Sequence, residues 1–207
     1  MWIRHVADPH AFDPAPDREA AVPGWSNATE PTPTIRAGRG LGVAMKRGII
    51  GFHLDDLGDW VADLDCGHGQ HVRHRPPFVN RPWVVSDAGR AGMLGTALDC
   101  ARCDRMEWPD GLVPYRRTPE FDETSIPAGL RREHATKRGI WARIHVLAGV
   151  LRYRVGAPIH GSFRVVQSSS AVIVAQVPHH VSPDGPVRFF IEFWRMERSG
   201  DDSGTPQ

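Results

Sequence analysis

The chain has 207 residues, room for one large domain or two small ones. Its 25 Lys and Arg against 24 Asp and Glu leave a formal charge of +1, so the chain as a whole makes no electrostatic case for nucleic acid or a membrane surface. At 41% hydrophobic the composition is globular, 18 prolines and 21 glycines predict many turns and short strands, and no apolar run approaches a membrane helix.

Residues 1–44 are loaded with Pro, Ala, Asp and Gly and show no strand or helix period, which predicts a disordered extension. The texture changes sharply at Met45, which reads as the natural start of translation. Asn27-Ala28-Thr29 fits a glycosylation sequon, but only at chance level without a signal peptide, and the lack of one predicts a cytoplasmic protein.

Residues 45–107 read as a small metal-stapled α+β module. GIIGFHL and DWVADLDC are strand-like runs joined by Asp55-Asp56-Leu57-Gly58, a hairpin that delivers Cys66 at its end. All three cysteines of the chain follow in one region: Cys66, then Cys100-Ala-Arg-Cys103. A C-x2-C turn points two sulfurs at one ion, and Cys66 with one histidine closes a Cys3His zinc site. His68, two positions from Cys66, is the first choice for the fourth ligand, with His71 next and His74 third. An odd cysteine count without a secretory signal argues against a disulfide. A redox dithiol would usually open a helix after a strand in a thioredoxin-like unit, which the sequence does not show, and unliganded core cysteines are the remaining alternative.

Between the cysteines, Arg73, Arg75 and Arg81 alternate with His71, His74, Phe78 and Trp83, with no acidic residue from Cys66 to Ser86. Such a stretch can grip an anion or a phosphate backbone, but three arginines are a small patch. The other reading leaves the arginines in water and uses Phe78 and Trp83 as core plugs, and nucleic acid is accordingly not the expected partner. Pro76, Pro77 and Pro82 predict an extended loop, and Ser86-Asp87 a helix N-cap.

Residues 108–125 are a proline-punctuated linker. Residues 126–196 then turn to all-β, with strands expected at 140–147, 150–155, 163–166, 171–175 and 187–194 and a turn at Ala148-Gly149. The expected class is therefore mainly β, the module being followed by a cupin-like β-barrel or sandwich, and 197–207 by a disordered tail. His134, His179 and Glu192 supply the two imidazoles and carboxylate of an open site for a second divalent metal (zinc, iron or manganese). Glu192 shares a strand face with Arg188, so an ion pair is its other reading. His145 is a weaker candidate, on the polar face of its strand.

With IPAGLRREHATKRGIWARIHVLAGVLRY, VPHHV and FFIEFW, residues 126–195 resemble the TehB/YeaR-like domain, a cupin-type β-barrel of tellurite-resistance-related proteins. With CGHGQHVRH, RPPFVNRPWVV and LDCARCD, residues 45–107 resemble a bacterial family of unknown function often fused ahead of it. The cupin resemblance implies ligands at two motifs. This chain keeps His134, Gly149 and His179, while Thr136 and Ala142 stand where a second histidine and the glutamate would fall, so the four-ligand set is incomplete. No glycine-rich S-adenosylmethionine loop follows a strand, so the chain is not itself a methyltransferase.

Two functions of different class lead, with a nucleic-acid-binding role for the zinc module as a weaker third. One is a metal-binding, two-module stress-response protein that recognises a metal ion or small oxyanion. The other is a mononuclear metal cupin enzyme of oxygenase type acting in the barrel. No nucleophile–base pair, phosphate loop or acid pair stands out, which favours binding, and a barrel interior packed with apolar side chains would leave only that. Cupin-like barrels often dimerise through edge strands, so a homodimer is expected.

Overall fold

The computed structural model describes residues 44–197; the expected N-terminal extension and the polar tail beyond Glu197 lie outside them. No helix among the described residues is long and apolar enough to cross a membrane.

The first module is built on the expected hairpin. β1 (Lys46–Leu54) pairs antiparallel with β2 (Trp60–Leu64), from Leu54↔Trp60 to Ile49↔Leu64. Asp55 makes the turn: its carboxylate accepts the amides of Leu57 and Asp59 at 2.9 and 2.8 Å, and Gly58 takes φ +78°. β3 (Gly69–His71) and β4 (Ala97–Asp99) complete a four-stranded sheet in the order β3-β2-β1-β4. Pro82 opens a single 3-10 turn, Pro82–Val85, where the sequence implied continuous loop. Ser86 caps α1 (Asp87–Ala91) as expected, its hydroxyl accepting the Gly89 amide at 3.1 Å, and α2 (Ala101–Asp104) is one helical turn starting beside Cys100.

The second module is a six-stranded sheet. β5 (Leu112–Arg117), β10 (His179–Met196), β7 (Trp141–Val155) and β8 (Gly161–Val166) run in that spatial order, while β6 (Phe121–Asp122) pairs with β10 and β9 (Ser170–Ile173) with β7. A short helix, α3 (Ala128–Arg131), precedes β7. The sheet curls in a cupin-like way but does not close into a barrel. Two findings depart from the sequence reading. The proline-punctuated linker contributes β5 and β6, both paired to β10. Ala148-Gly149 is no turn: β7 runs through it for 15 residues against β10, from Trp141↔Trp194 to Val155↔His179.

Cross-strand pairing sorts the side chains. Ile144, Leu151, Tyr153, Val181, Phe189 and Ile191 share the inner face and are all buried. Arg143, His145, Arg152, Arg154, His180 and Glu192 share the outer one. The inner face is thus packed with apolar side chains, and the core is continuous from Met45, Ile49, Leu64 and the three cysteines to Trp141 and the sheet.

Candidate metal centre

Four donors from two short stretches meet in this shared core. Cys66 leaves β2, Gly67 turns the chain with φ +89°, and His68 arrives just before β3. Cys100 and Cys103 bracket the first turn of α2. The Nδ1 of His68 lies 3.5, 3.4 and 3.5 Å from the sulfurs of Cys66, Cys100 and Cys103, and the Cys66 and Cys100 sulfurs are 3.9 Å apart. All four donor atoms fall within 4.8 Å of one another. Zn–S and Zn–N bonds at tetrahedral angles give edges of about 3.8 and 3.6 Å, close to what is seen.

The surroundings orient the donors. His68 Nε2 donates to the Glu107 carbonyl at 3.1 Å, which leaves Nδ1 as the free lone pair facing the sulfurs. The His68 ring meets Trp141 edge-on with centroids 5.5 Å apart, and Trp141 Nε1 donates to the Cys66 carbonyl at 2.7 Å. The Cys100 amide donates to the Met45 carbonyl at 2.8 Å, tying the C-x2-C turn to the start of β1.

Every ligand residue is at most 3% exposed, so the thiols feel one another. The Cys100 side chain beside it, with desolvation, pushes the Cys66 thiol up to about 11. Cys103 is raised for the same reasons, while hydrogen bonds from Cys103 and Cys66 hold Cys100 well below the usual thiol range. Three thiolates this close need a cation among them.

The other histidines and the arginines of the first module sit elsewhere. His71 is exposed and lies 2.8 Å from Asp55, and His74 accepts the Arg81 amide at 3.0 Å. Arg73 pairs with Asp59 at 2.6 Å. The backbones of Arg75 and Val79 bridge a tight loop on which Phe78 stands 93% exposed, while Trp83 packs on Phe52. Of the two expected core plugs, one packs and the other points to solvent.

In the sheet, His134 and His179 exchange both backbone hydrogen bonds, and their rings lie 4.3 Å apart. His179 Nδ1 donates to the Val177 carbonyl at 2.8 Å and His134 Nδ1 to that of Arg132 at 2.9 Å. Glu192 does not join them. It stands on the outer face, opposite His179, and meets His145 at 2.9 Å, which holds its carboxyl below the usual range. Among the described residues only Cys66, His68, Cys100 and Cys103 form a group of three or more ligands able to hold an ion. Among the described residues the expected second metal therefore finds no converging ligand set: Glu192 lies on the other face of β10 and 13 residues along it from His179.

One residue beside the cluster escaped the sequence reading. Arg47 is 4% exposed on the buried face of β1, and the alternation Met45, Arg47, Ile49 was the available signal.

Residues 50–107 match the family described as "Protein of unknown function (DUF3565)", and residues 116–191 match the TehB-like domain. No curated protein matches. Among solved structures, a protein from E. coli (strain K12) is 23% identical, with a TM-score of 0.40 over 44% of this chain and 97% of its own. TehB from Haemophilus influenzae is 20% identical, with a TM-score of 0.40 over 42% of this chain and 32% of its own length. Hydroxypropylphosphonic acid epoxidase from S. wedmorenis is 16% identical, with a TM-score of 0.30 over 40% of this chain and 42% of its own. The chain thus joins a buried Cys/His metal-binding module to a distant TehB-like domain.

Proposed function

We propose that Cys66, His68, Cys100 and Cys103 hold one structural zinc ion, and that the chain is a two-module binding protein of a metal- or oxyanion-stress response. The observation that carries the zinc reading is the set of four buried donors within 4.8 Å of one another. Three thiolates and an imidazole at these separations suit zinc, whose role with four protein ligands is to staple the fold, because no position remains for water or substrate. Binding rather than oxygenase chemistry is supported by the packed inner face of the sheet, where Leu151, Tyr153 and Phe189 are at most 1% exposed. The match of residues 116–191 to the TehB-like domain supports a place in the stress response.

Elemental analysis of the purified chain tests this. One zinc per chain is expected, lost in Cys100→Ser and kept in His179→Ala. A metal-free wild-type chain, or zinc retained in Cys100→Ser, refutes the site. A second metal that disappears in His179→Ala refutes the binding reading and restores the enzyme.

A further inference from the structure

At the end of β7 remote from Trp141, a cleft of about 410 Å³ is lined by Glu133, Arg154, His160, Ser162 and His180, together with Gly156 and Gly161. Strand register builds its centre. Arg154 of β7 pairs with His180 of β10 on one side and Ser162 of β8 on the other, so the three side chains form a row on the outer face. The loops on either side bring Glu133 and His160, the latter at φ +50° in the left-handed region. Gly156 keeps room beside Glu133: a Cβ there would come within 3.3 Å of the Glu133 carboxylate.

None of the five polar side chains has a hydrogen-bond or ion-pair partner among the described residues. Arginines nearby are engaged by contrast, Arg152 and Arg164 sharing Asp184 at 3.0 and 3.4 Å. Glu133 and Arg154 line one cleft without pairing with each other. A simple anion here faces the Glu133 carboxylate and a simple cation faces the Arg154 guanidinium, whereas a molecule carrying both charges satisfies each.

From this arrangement we propose that the cleft binds a small free α-amino acid. Its carboxylate meets the planar fork of Arg154, its ammonium meets Glu133, and Ser162, His160 and His180 supply the remaining hydrogen bonds. The apolar lining consists of Val155 and the two glycines, so no large apolar side chain is accommodated. The site is independent of the zinc cluster.

The test is an amide chemical-shift titration of the full-length, metal-loaded chain with L-serine, run beside acetate and methylammonium. L-serine should shift residues 154–162 and 179–180 and saturate with a Kd of roughly 0.1–10 mM. Acetate and methylammonium should each bind at least about tenfold more weakly. Arg154→Ala and Glu133→Gln should each weaken L-serine about tenfold or more, with the thermal midpoint unchanged because both side chains are exposed. The proposal is overturned if no saturable shift appears, if acetate binds as tightly as L-serine, or if Glu133→Gln leaves the affinity intact.

Discussion

Arg47 sits where a charge is costly, and its surroundings show what offsets the cost. Its guanidinium donates to the Ala175 carbonyl at 2.7 Å and to Gln176 at 3.3 Å, while Nε has no partner. A divalent ion held by three thiolates and a neutral imidazole leaves one net negative charge in the core. Arg47 is close enough to lower Cys103, and it supplies the matching positive charge. Arg47→Met should therefore weaken zinc about 10- to 100-fold in a chelator competition, as expected for removing one buried countercharge. On a Cys103→His background, where the loaded site is neutral, the same substitution should leave zinc affinity nearly unchanged. His179 gives a second residue-level prediction. Burial lowers it from 6.5 to about 4, so the unfolded chain takes up its proton first as the medium acidifies. Stability should be full above about pH 6.5, fall by roughly 3 kcal/mol by pH 4 and level off below, and His179→Asn, which keeps a donor for Val177, should remove that slope from a denaturant series. Of the residues at the centre, the cysteines were legible from their spacing, which left the histidine beside them open among His68, His71 and His74, with His68 preferred. Arg47 was harder to see because an arginine at the start of a strand reads as solvated until its strand parity is counted.

The elements show a similar division. The hairpin of β1 and β2 was readable because the turn-rich Asp55-Asp56-Leu57-Gly58 separates two strand-like runs, and Ser86 announced α1 by its capping chemistry. The long strands were not. β10 passes through Pro183, Gly185 and Pro186, residues that ordinarily end a strand, and the sheet absorbs them as a bulge between Pro183↔Leu151 and Val187↔Gly149. β5 carries Pro114 and escaped notice for the same reason, although an edge strand tolerates a missing amide. Gly149 looked like a turn because it is one residue of forced geometry inside a continuous strand. It takes φ +75°, and a Cβ there would lie 2.0 Å from the Pro186 carbonyl oxygen. Gly149→Val should thus cost well over 3 kcal/mol, or prevent folding, by combining left-handed strain with a backbone clash. Gly58→Ala is the control: φ is +78°, nothing lies within 4 Å of the added Cβ, and the cost should stay near 1 kcal/mol in the same thermal melts.

At the scale of the whole molecule, the sequence suggested two modules in series, and the structure joins them through aromatic packing around the metal ligands. Trp141 belongs to the sheet, has no exposed surface, holds the Cys66 carbonyl and packs edge-on against His68. Trp108 bridges onward, with centroids 5.9 Å from Trp141 and 5.5 Å from Trp194. Periodicity could not show this, because the contact lies on the outer face of β7, where alternation predicts solvent. A site placed at the seam makes the ion part of both modules' stability. Stripping it leaves three crowded thiols beneath Trp141 and withdraws a binding free energy that in small zinc modules is of order 10 kcal/mol. The loaded chain should melt in one transition, and a strong chelator should lower the melting of the sheet together with that of the first module, followed by Trp fluorescence and by amide exchange in β7. Trp141→Ala should cost roughly 3–5 kcal/mol and weaken zinc retention although it touches no ion. Were the module to melt first while the β7 amides stayed protected, the seam would be a contact between independent units, and the zinc would staple only its own module.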